Sequence, residues 1–376
     1  DVLLLGPLPT PGIAHATRSH GADLGVVISA SHNPFYDNGI KFFDGQGAKL
    51  PDAVEEHIEA FLTESAITRD SSELGRAKRV ESAQEDYQRF CLSTVPAELR
   101  LDKLKLVIDC SHGADFKVAP RVLSELGAEI VPIGCSPNGR NINDGCGSTD
   151  PELLKLTVQG VRADVGVAFD GDGDRVLMVD REGNLIDGDQ LLYLLARARQ
   201  ERGLLKGPVV GTLMSNLGLQ RALEEQGIPF KRAAVGDRYV LKMLREEGGE
   251  LGGETSGHVL CLDKTTTGDG LVAALQVLEV IVESGRTVAE LVAGMPRFPQ
   301  TLINIRTARR VNVESSEPIR AAVAKAEGDL AERGRVLVRA SGTEPVLRVM
   351  VEGENEQEVN SVARSLAEGI QAATAA

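Results

Sequence analysis

The sequence is short of positive charge: a formal net charge of −14 over 376 residues would repel the phosphate backbone of nucleic acid and the surface of an anionic membrane. No nucleic-acid partner and no membrane partner are expected. A small phosphorylated substrate stays compatible, since a few Lys and Arg focused in a cleft outweigh a distant acidic surface. Cysteine is sparse as well. The five present (Cys91, Cys110, Cys135, Cys146, Cys261) are odd in number, far apart and without a C-x-x-C pair, which reads as reduced thiols in a cytoplasmic protein. Long hydrophobic runs are missing too. The most apolar stretch, Leu271 to Val282, falls well below the roughly 18 residues a membrane span needs and reads as a buried helix. There is no initiating Met and no basic n-region, so the opening is not a signal peptide. Val2 to Leu5 instead reads as a buried strand in a domain already begun, and the chain as lacking its start. Tryptophan is absent and aromatics amount to 3%, yet 42% hydrophobic and 26% charged residues describe a globular chain without disorder.

What is there is a repeated switch between short β-rich runs and helical stretches, the pattern of α/β domains. Gly25 to Ala30 (GVVISA) reads as one buried strand ending in the loop SHNPFYDNG. After a polar stretch around Ser65 to Glu81, the strand LKLVID, a helix to Gly127 and the strand Glu129 to Ile133 open a second unit. This unit continues through SPNGRNINDGCGSTDP and a helix to the strand DVGVAF. A third holds the helix QLLYLLARAR, the strands PVVGTL and FKRAAV and their helices. The last, with strands LINIR, RVLVRA and LRVMVEG and helices from about Glu317 and Glu356, reads as a small α+β domain with helices on one face of an antiparallel sheet. The expected boundaries are 1–83, 84–182, 183–298 and 299–376. No short-period repeat occurs, which sets solenoids aside.

Four loops carry candidate chemistry. Asp170-Gly-Asp-Gly-Asp-Arg175 places three carboxylates at alternating positions directly after an apolar strand. Like charges crowded in this way need a cation, and hard oxygen donors suit Mg²⁺ or Ca²⁺. An EF-hand would require Gly where Arg175 stands and Glu where Arg181 stands. A solvated acidic turn is the bland alternative. The second loop, Ala30-Ser-His-Asn-Pro34 followed by Lys41, presents Ser31 at the carboxyl end of a strand, where α/β sheets place ligand chemistry. A plain turn is its alternative. His32 does not read as a base for Ser31, because neighbours in extended chain point to opposite sides, and no G-x-S-x-G elbow surrounds the serine. The third loop, Gly252-Gly-Glu-Thr-Ser-Gly-His258, suits hydrogen bonding to sugar hydroxyls, or is a turn with a surface His. In the fourth, Arg339-Ala-Ser-Gly-Thr-Glu344 with Arg348 beyond it, arginines, hydroxyls and free backbone N–H groups could nest a phosphate, or form a structural turn. Together the four supply a metal, a serine, a sugar-binding loop and a phosphate clamp, the parts of a phosphosugar phosphoryl-transfer site.

These loops, in this order, resemble those of the α-D-phosphohexomutases. GVVISASHNPFYDNGIKFF, NINDGCGSTDPE, AFDGDGDRVLMVD, GGETSGH, DKTTTGDG and RVLVRASGTEPVLRVMVEG are similar to the branch that acts on glucosamine phosphates, and the similarity spans the visible chain. The resemblance implies a multidomain α/β fold: related α/β domains plus a smaller α+β C-terminal domain around a central cleft. It implies that Ser31 is phosphorylated, that Asp170, Asp172 and Asp174 hold one Mg²⁺ with a phosphoserine oxygen of Ser31, and that His32, Lys41 and Arg175 line the transfer site. Glu254 and Ser256 would grip sugar hydroxyls and His258 assist proton transfer. Arg339, Ser341, Gly342, Thr343 and Arg348 would hold the phosphate not reacting.

The implied reaction interconverts glucosamine 6-phosphate and glucosamine 1-phosphate through a 1,6-bisphosphate, for UDP-N-acetylglucosamine and peptidoglycan precursors. Glucosamine or glucose 1,6-bisphosphate would be the activator and a homodimer is a candidate assembly. Two departures stand out: relatives open with a GTDGIRG-like segment not seen here, and Thr255 replaces their frequent Gln or Met. The rivals are a mutase of neutral hexose phosphates and a non-catalytic sugar-phosphate-binding protein.

Overall fold

The computed structural model describes residues 1–65, 68–307, 311–313, 315–340 and 345–375. It forms two compact units, Asp1–Thr212 with Ile228–Ala293, and Leu213–Gly227 with Gly294–Ala376.

In the first unit, β1 (Val2–Leu4) is followed by α1 (Thr10–Ser19), β2 (Leu24–Ser29) and β3 (Gly39–Asp44), then α2 (Asp52–Phe61), β4 (Ala77–Arg79) and α3 (Ala83–Ser93). The expected burial of the opening strand is corrected: Val2, Leu3 and Leu4 are exposed, because among the described residues β1 pairs only with β4. Two three-residue strands have neither the length nor the partners to bury a face. GVVISA is corrected likewise. Among the described residues β2 pairs only with β3, antiparallel, and alternates, with Val27 buried but Val26 and Ile28 exposed.

The central sheet is built from β5 (Lys105–Asp109), β6 (Glu129–Ile133), β7 (Val165–Phe169), β8 (Val176–Asp180) and β9 (Leu185–Ile186), in the order 6-5-7-8-9. β6, β5 and β7 run parallel, with α4 (Val118–Glu125) and α5 (Glu152–Val161) as crossovers. β7 and β8 are buried at every residue, as strands covered on both faces must be. The turn joining them is the acidic loop, so its carboxylates emerge at the carboxyl end of a rigid strand. The same unit carries α6 (Gly188–Glu201) and β10 (Val209–Thr212). α7 (Leu217–Glu225) belongs to the other unit. Then come β11 (Phe230–Ala233), α8 (Asp237–Glu247), β12 (Leu251–Gly253) and β13 (Val259–Cys261), a sheet ordered 11-10-12-13. β12 and β13 form an antiparallel hairpin whose tip is the candidate sugar loop. Leu271 to Val282 lies within α9 (Gly270–Ser284), whose first twelve residues are buried, and α10 (Val288–Val292) closes the unit. Among the described residues no helix is long and apolar enough to cross a membrane.

The second unit contains β14 (Gln300–Arg306), α11 (Glu317–Leu330), β15 (Gly334–Ala340), β16 (Val346–Gly353) and α12 (Glu356–Ala375). β16 lies between β14 and β15, antiparallel to both. Both helices pack on one face of this sheet, as the periodicity predicts, around Ile305, Ile319, Val349, Leu366 and Ile370. Ile370 is 0% exposed. Replacing it by Ala removes its transfer energy and leaves a cavity, so Ile370→Ala is expected to lower unfolding free energy by about 2–5 kcal/mol in urea titrations, whereas the half-exposed Leu302→Ala shifts it by less than about 1 kcal/mol.

Candidate active site

The acidic loop turns back on itself because its glycines allow what a side chain would forbid. A Cβ on Gly171 would lie 2.5 Å from the carbonyl oxygen of Ser31, and Gly173 adopts φ +72° with its Cα facing Asp115. Asp170, Asp172 and Asp174 are almost wholly buried, and one ligand oxygen from each lies within 4.8 Å of the others. One oxygen of each carboxylate (Asp170 Oδ2, Asp172 Oδ1, Asp174 Oδ1) is buried without a hydrogen-bond partner. Three orphaned, hard, converging oxygens fit a divalent cation.

Cations of the chain itself surround this cluster. Lys41 Nζ lies 2.6 Å from Asp172 Oδ2 and 2.9 Å from Asp174 Oδ2. Burial pulls its ammonium down, but Asp174 and Asp172 outweigh that and hold it above its ordinary value. Arg175 Nε stands 3.9 Å from both Asp170 and Asp174, and its backbone N–H donates to Asp170 Oδ1 at 3.1 Å. Burial and the two sister carboxylates push Asp170 well up; on Asp174 burial is overcome by His258 and Lys41, which hold it well below the carboxylate range.

Ser31 sits against this loop, at the end of β2, in the left-handed region with φ +52°. That conformation corrects the expectation for His32. The chain is not extended at Ser31, and His32 Nδ1 comes within 3.4 Å of Ser31 Oγ. Burial and then Arg175 hold the imidazole below its ordinary value, against the opposing pull of Asp174 and Asp172.

The hairpin tip is stitched to the acidic loop by Val176 N–H donating to the Gly257 carbonyl at 3.0 Å. Glu254 Oε1 accepts from Gly236 N–H at 3.0 Å, Thr255 Oγ1 donates to Asp189 Oδ2 at 2.8 Å, and Ser256 is exposed. His258 is no surface residue. It is 3% exposed, with Nδ1 3.5 Å from Asp174 and Nε2 3.4 Å from Asp237. In the second unit, Arg339 on β15 faces Arg348 on β16 directly. Burial and the neighbouring Arg348 hold the Arg339 guanidinium below its ordinary value, a repulsion that a bound anion would relieve. Ser341, Gly342 and Thr343 lie outside the described residues.

Family models for phosphoglucomutase/phosphomannomutase match the chain in order: alpha/beta/alpha domain I at residues 1–68, domain II at 85–183, domain III at 187–298 and the C-terminal domain at 302–369. The chain belongs to the phosphoglucomutase/phosphomannomutase family. Among relatives of this family, the phosphoglucosamine mutase of Aeromonas hydrophila is 56% identical over 371 residues, covering 99% of this chain and 84% of the relative. A phosphoglucomutase/phosphomannomutase family protein of Burkholderia thailandensis, solved by crystallography, superposes with TM-score 0.82 at 25% identity over 99% of this chain and 83% of its own. The Aspergillus fumigatus N-acetylphosphoglucosamine mutase, solved with GlcNAc-6P and magnesium, shares the fold at TM-score 0.72 and 19% identity, over 97% of this chain and 92% of its own.

Several residues of this phosphohexomutase site carry no local sequence signal. Thr10 Oγ1 donates to Asp172 Oδ2 at 2.6 Å from the start of α1. Asp115 lies fully buried behind Gly173 with both oxygens unpartnered. Asp237, at the first position of α8, is ion-paired to Lys49. Burial raises the Asp237 carboxyl, but His258 and Lys49 outweigh it and bring it down to about 2, from an unfolded value of 3.8. A depressed carboxylate stabilises the fold above its unfolded pKa and loses that contribution as pH falls through its folded one. Asp237→Asn is therefore expected to cost roughly 2 kcal/mol at pH 7, with the difference from wild type shrinking below about pH 4 and largely lost near pH 2, as read from urea unfolding across pH.

Proposed function

We propose that this chain is an isomerase-class phosphotransferase interconverting glucosamine 6-phosphate and glucosamine 1-phosphate, supplying UDP-N-acetylglucosamine and hence peptidoglycan precursors. The observation that carries the reading is the placement of Ser31, whose backbone abuts Gly171 between two converging carboxylates, with His32 at its hydroxyl. A serine beside a divalent-cation site is the minimum equipment for a phosphoserine mutase. The choice of an amino-sugar substrate is supported by the 56% identity to the phosphoglucosamine mutase of Aeromonas hydrophila.

Asp170, Asp172 and Asp174, with an oxygen on phosphorylated Ser31, would hold one Mg²⁺, which supplies electrostatic stabilisation of the moving phosphoryl group. In the forward direction the bond from phosphorus to Ser31 Oγ breaks as the free hydroxyl oxygen of glucosamine 6-phosphate bonds to phosphorus. Its proton leaves to a base, Ser31 Oγ takes up a proton as it is released, and the sugar becomes the 1,6-bisphosphate. After the sugar turns around, Ser31 Oγ gives up that proton and bonds to the phosphorus of the 6-phosphate as its bond to the sugar O6 breaks; O6 takes up a proton and glucosamine 1-phosphate departs. Lys41 and Arg175 would offset charge developing on the moving phosphoryl group. His32 faces Ser31 Oγ. His258 would serve proton transfer through Asp174 and Asp237, the groups its nitrogens meet. Glu254 and Ser256 would take sugar hydroxyls, and Arg339, Ser341, Gly342, Thr343 and Arg348 a phosphate of the substrate.

The same proposal includes four domains at 1–83, 84–182, 183–298 and 299–376, activation by glucosamine or glucose 1,6-bisphosphate, a cytoplasmic location and a homodimeric assembly without nucleic-acid partners. The test is Mg²⁺-dependent turnover of glucosamine 6-phosphate by the full-length protein, primed with glucose 1,6-bisphosphate, beside glucose and mannose phosphates. Ser31→Ala is expected to lose at least about 10³-fold in kcat, and chelation to abolish activity until Mg²⁺ is restored. Faster turnover of neutral hexose phosphates would overturn the substrate, and undiminished Ser31→Ala activity the mechanism. Substrate binding by a primed wild type that never becomes phosphorylated would make it a non-catalytic binder.

A further inference from the structure

The motif NINDGCGSTD is given no task by the reaction as derived, yet its second asparagine reaches the nucleophile. Asn143 Nδ2 donates to the carbonyl of Ser31 at 2.8 Å and to the carbonyl of Asn33 at 2.9 Å. Both amide hydrogens are thereby spent on backbone oxygens two residues apart, across 112 residues of sequence. The opposite amide orientation would set Oδ1 against two carbonyl oxygens, so the donor assignment is fixed by chemistry.

We propose that Asn143 is a positioning residue for phosphoryl transfer, holding the Ser31 turn in the conformation that presents Oγ. The proposal rests on the reading of Ser31 as the phosphoryl carrier. A left-handed residue with a Cβ is strained and persists only where its surroundings over-determine it. Three hydrogen bonds do so here besides those of Asn143 to Asn33: Ser31 N–H to Ser29 Oγ at 2.8 Å, Asn33 N–H to the Ala30 carbonyl at 2.8 Å, and the Asn143 bond to Ser31 itself. The first two are local and bend with the loop. The carboxamide ties the turn to a distant segment of the chain.

That support is traceable to the central sheet. Asn143 N–H donates to the Ser111 carbonyl at 2.9 Å. Asp109, fully buried at the end of β5, accepts from Ser111 N–H at 2.9 Å and from Gly147 N–H at 2.8 Å, holding both the turn to which Asn143 bonds and the chain four residues beyond Asn143. Phosphorylated and free Ser31 must return to the same place twice in each catalytic cycle, and displacement of a reacting atom by about 1 Å can cost on the order of 10²-fold in rate.

Two variants test this without straining the backbone, since Asn143 itself lies at φ +57°, where Gly and Asp are tolerated. Asn143→Gly removes the carboxamide; Asn143→Asp keeps its shape and removes both donors. In full-length protein, kcat and the single-turnover rate of Ser31 phosphorylation by glucose 1,6-bisphosphate are expected to fall roughly 10- to 100-fold in both. KM for glucosamine 6-phosphate and the melting temperature should stay near wild type, and the ³¹P resonance of phosphoserine should shift or broaden. Wild-type kcat in both variants, or a fall only in step with lost melting temperature and an unmoved ³¹P resonance, would overturn the positioning role while leaving the phosphoserine reading intact. A wild type that never carries phosphate on Ser31 would remove both.

Discussion

Three carboxylates held within 4.8 Å of one another in a buried turn are the constraint around which the first unit is arranged. At an effective dielectric of about 20, each such pair repels by on the order of 3–4 kcal/mol, more than most single contacts return. The chain meets that repulsion with its own cations, Lys41 bridging Asp172 and Asp174 and Arg175 beside Asp170, and sets the His258 imidazole beside Asp174. Those partners come from separate stretches of sequence, so the acidic turn draws β3, the β7–β8 connection and the β12–β13 hairpin to one place. One oxygen of each carboxylate is left without a hydrogen bond, and these oxygens define the metal-binding character of the site.

A second constraint is conformational. Six residues other than glycine adopt positive φ among the described residues, and four of them, Ser31, Ser111, His112 and Asn143, belong to the turn that carries the nucleophile and to the segments that brace it. Local strain of this kind is retained where buried groups enforce it, and here the enforcing group is Asp109, fully enclosed and bonded on both oxygens. The strain and the charge crowding meet where the Ser31 carbonyl closes on Gly171. The second unit is simpler. A three-stranded antiparallel sheet covered by two helices on one face sets two arginines opposite each other, and that pairing makes sense in the presence of an anion.

Much of this is legible in the sequence. The order of strands and helices follows from hydrophobic periodicity, since the cores of β7, β8, α9 and the C-terminal sheet are made of unbroken or alternating apolar residues whose burial is dictated by composition alone. The acidic loop is equally plain, because three carboxylates separated by glycines admit few other uses. Ser31, Lys41, Arg175, Arg339 and Arg348 stand out in motifs whose residue types state their chemistry.

What the tertiary structure alone decided lies in longer-range geometry. Periodicity marks β1 and β2 as apolar but cannot count their sheet neighbours, and with one partner each among the described residues β1 is exposed and β2 buried only at alternate positions where full burial was expected. Adjacency in sequence argued that His32 points away from Ser31; a single left-handed φ brings them to 3.4 Å. In its glycine loop His258 reads either as part of a sugar site or as a surface histidine, and the hairpin folds it between Asp174 and Asp237, residues that lie 84 and 21 positions before it. The sequence determined which groups exist and in which local turns they sit, because those depend on neighbours along the chain. Which of them share a hydrogen bond, a charge or a cavity depends on strand register and backbone twist across more than a hundred residues, and only the packed fold specifies that.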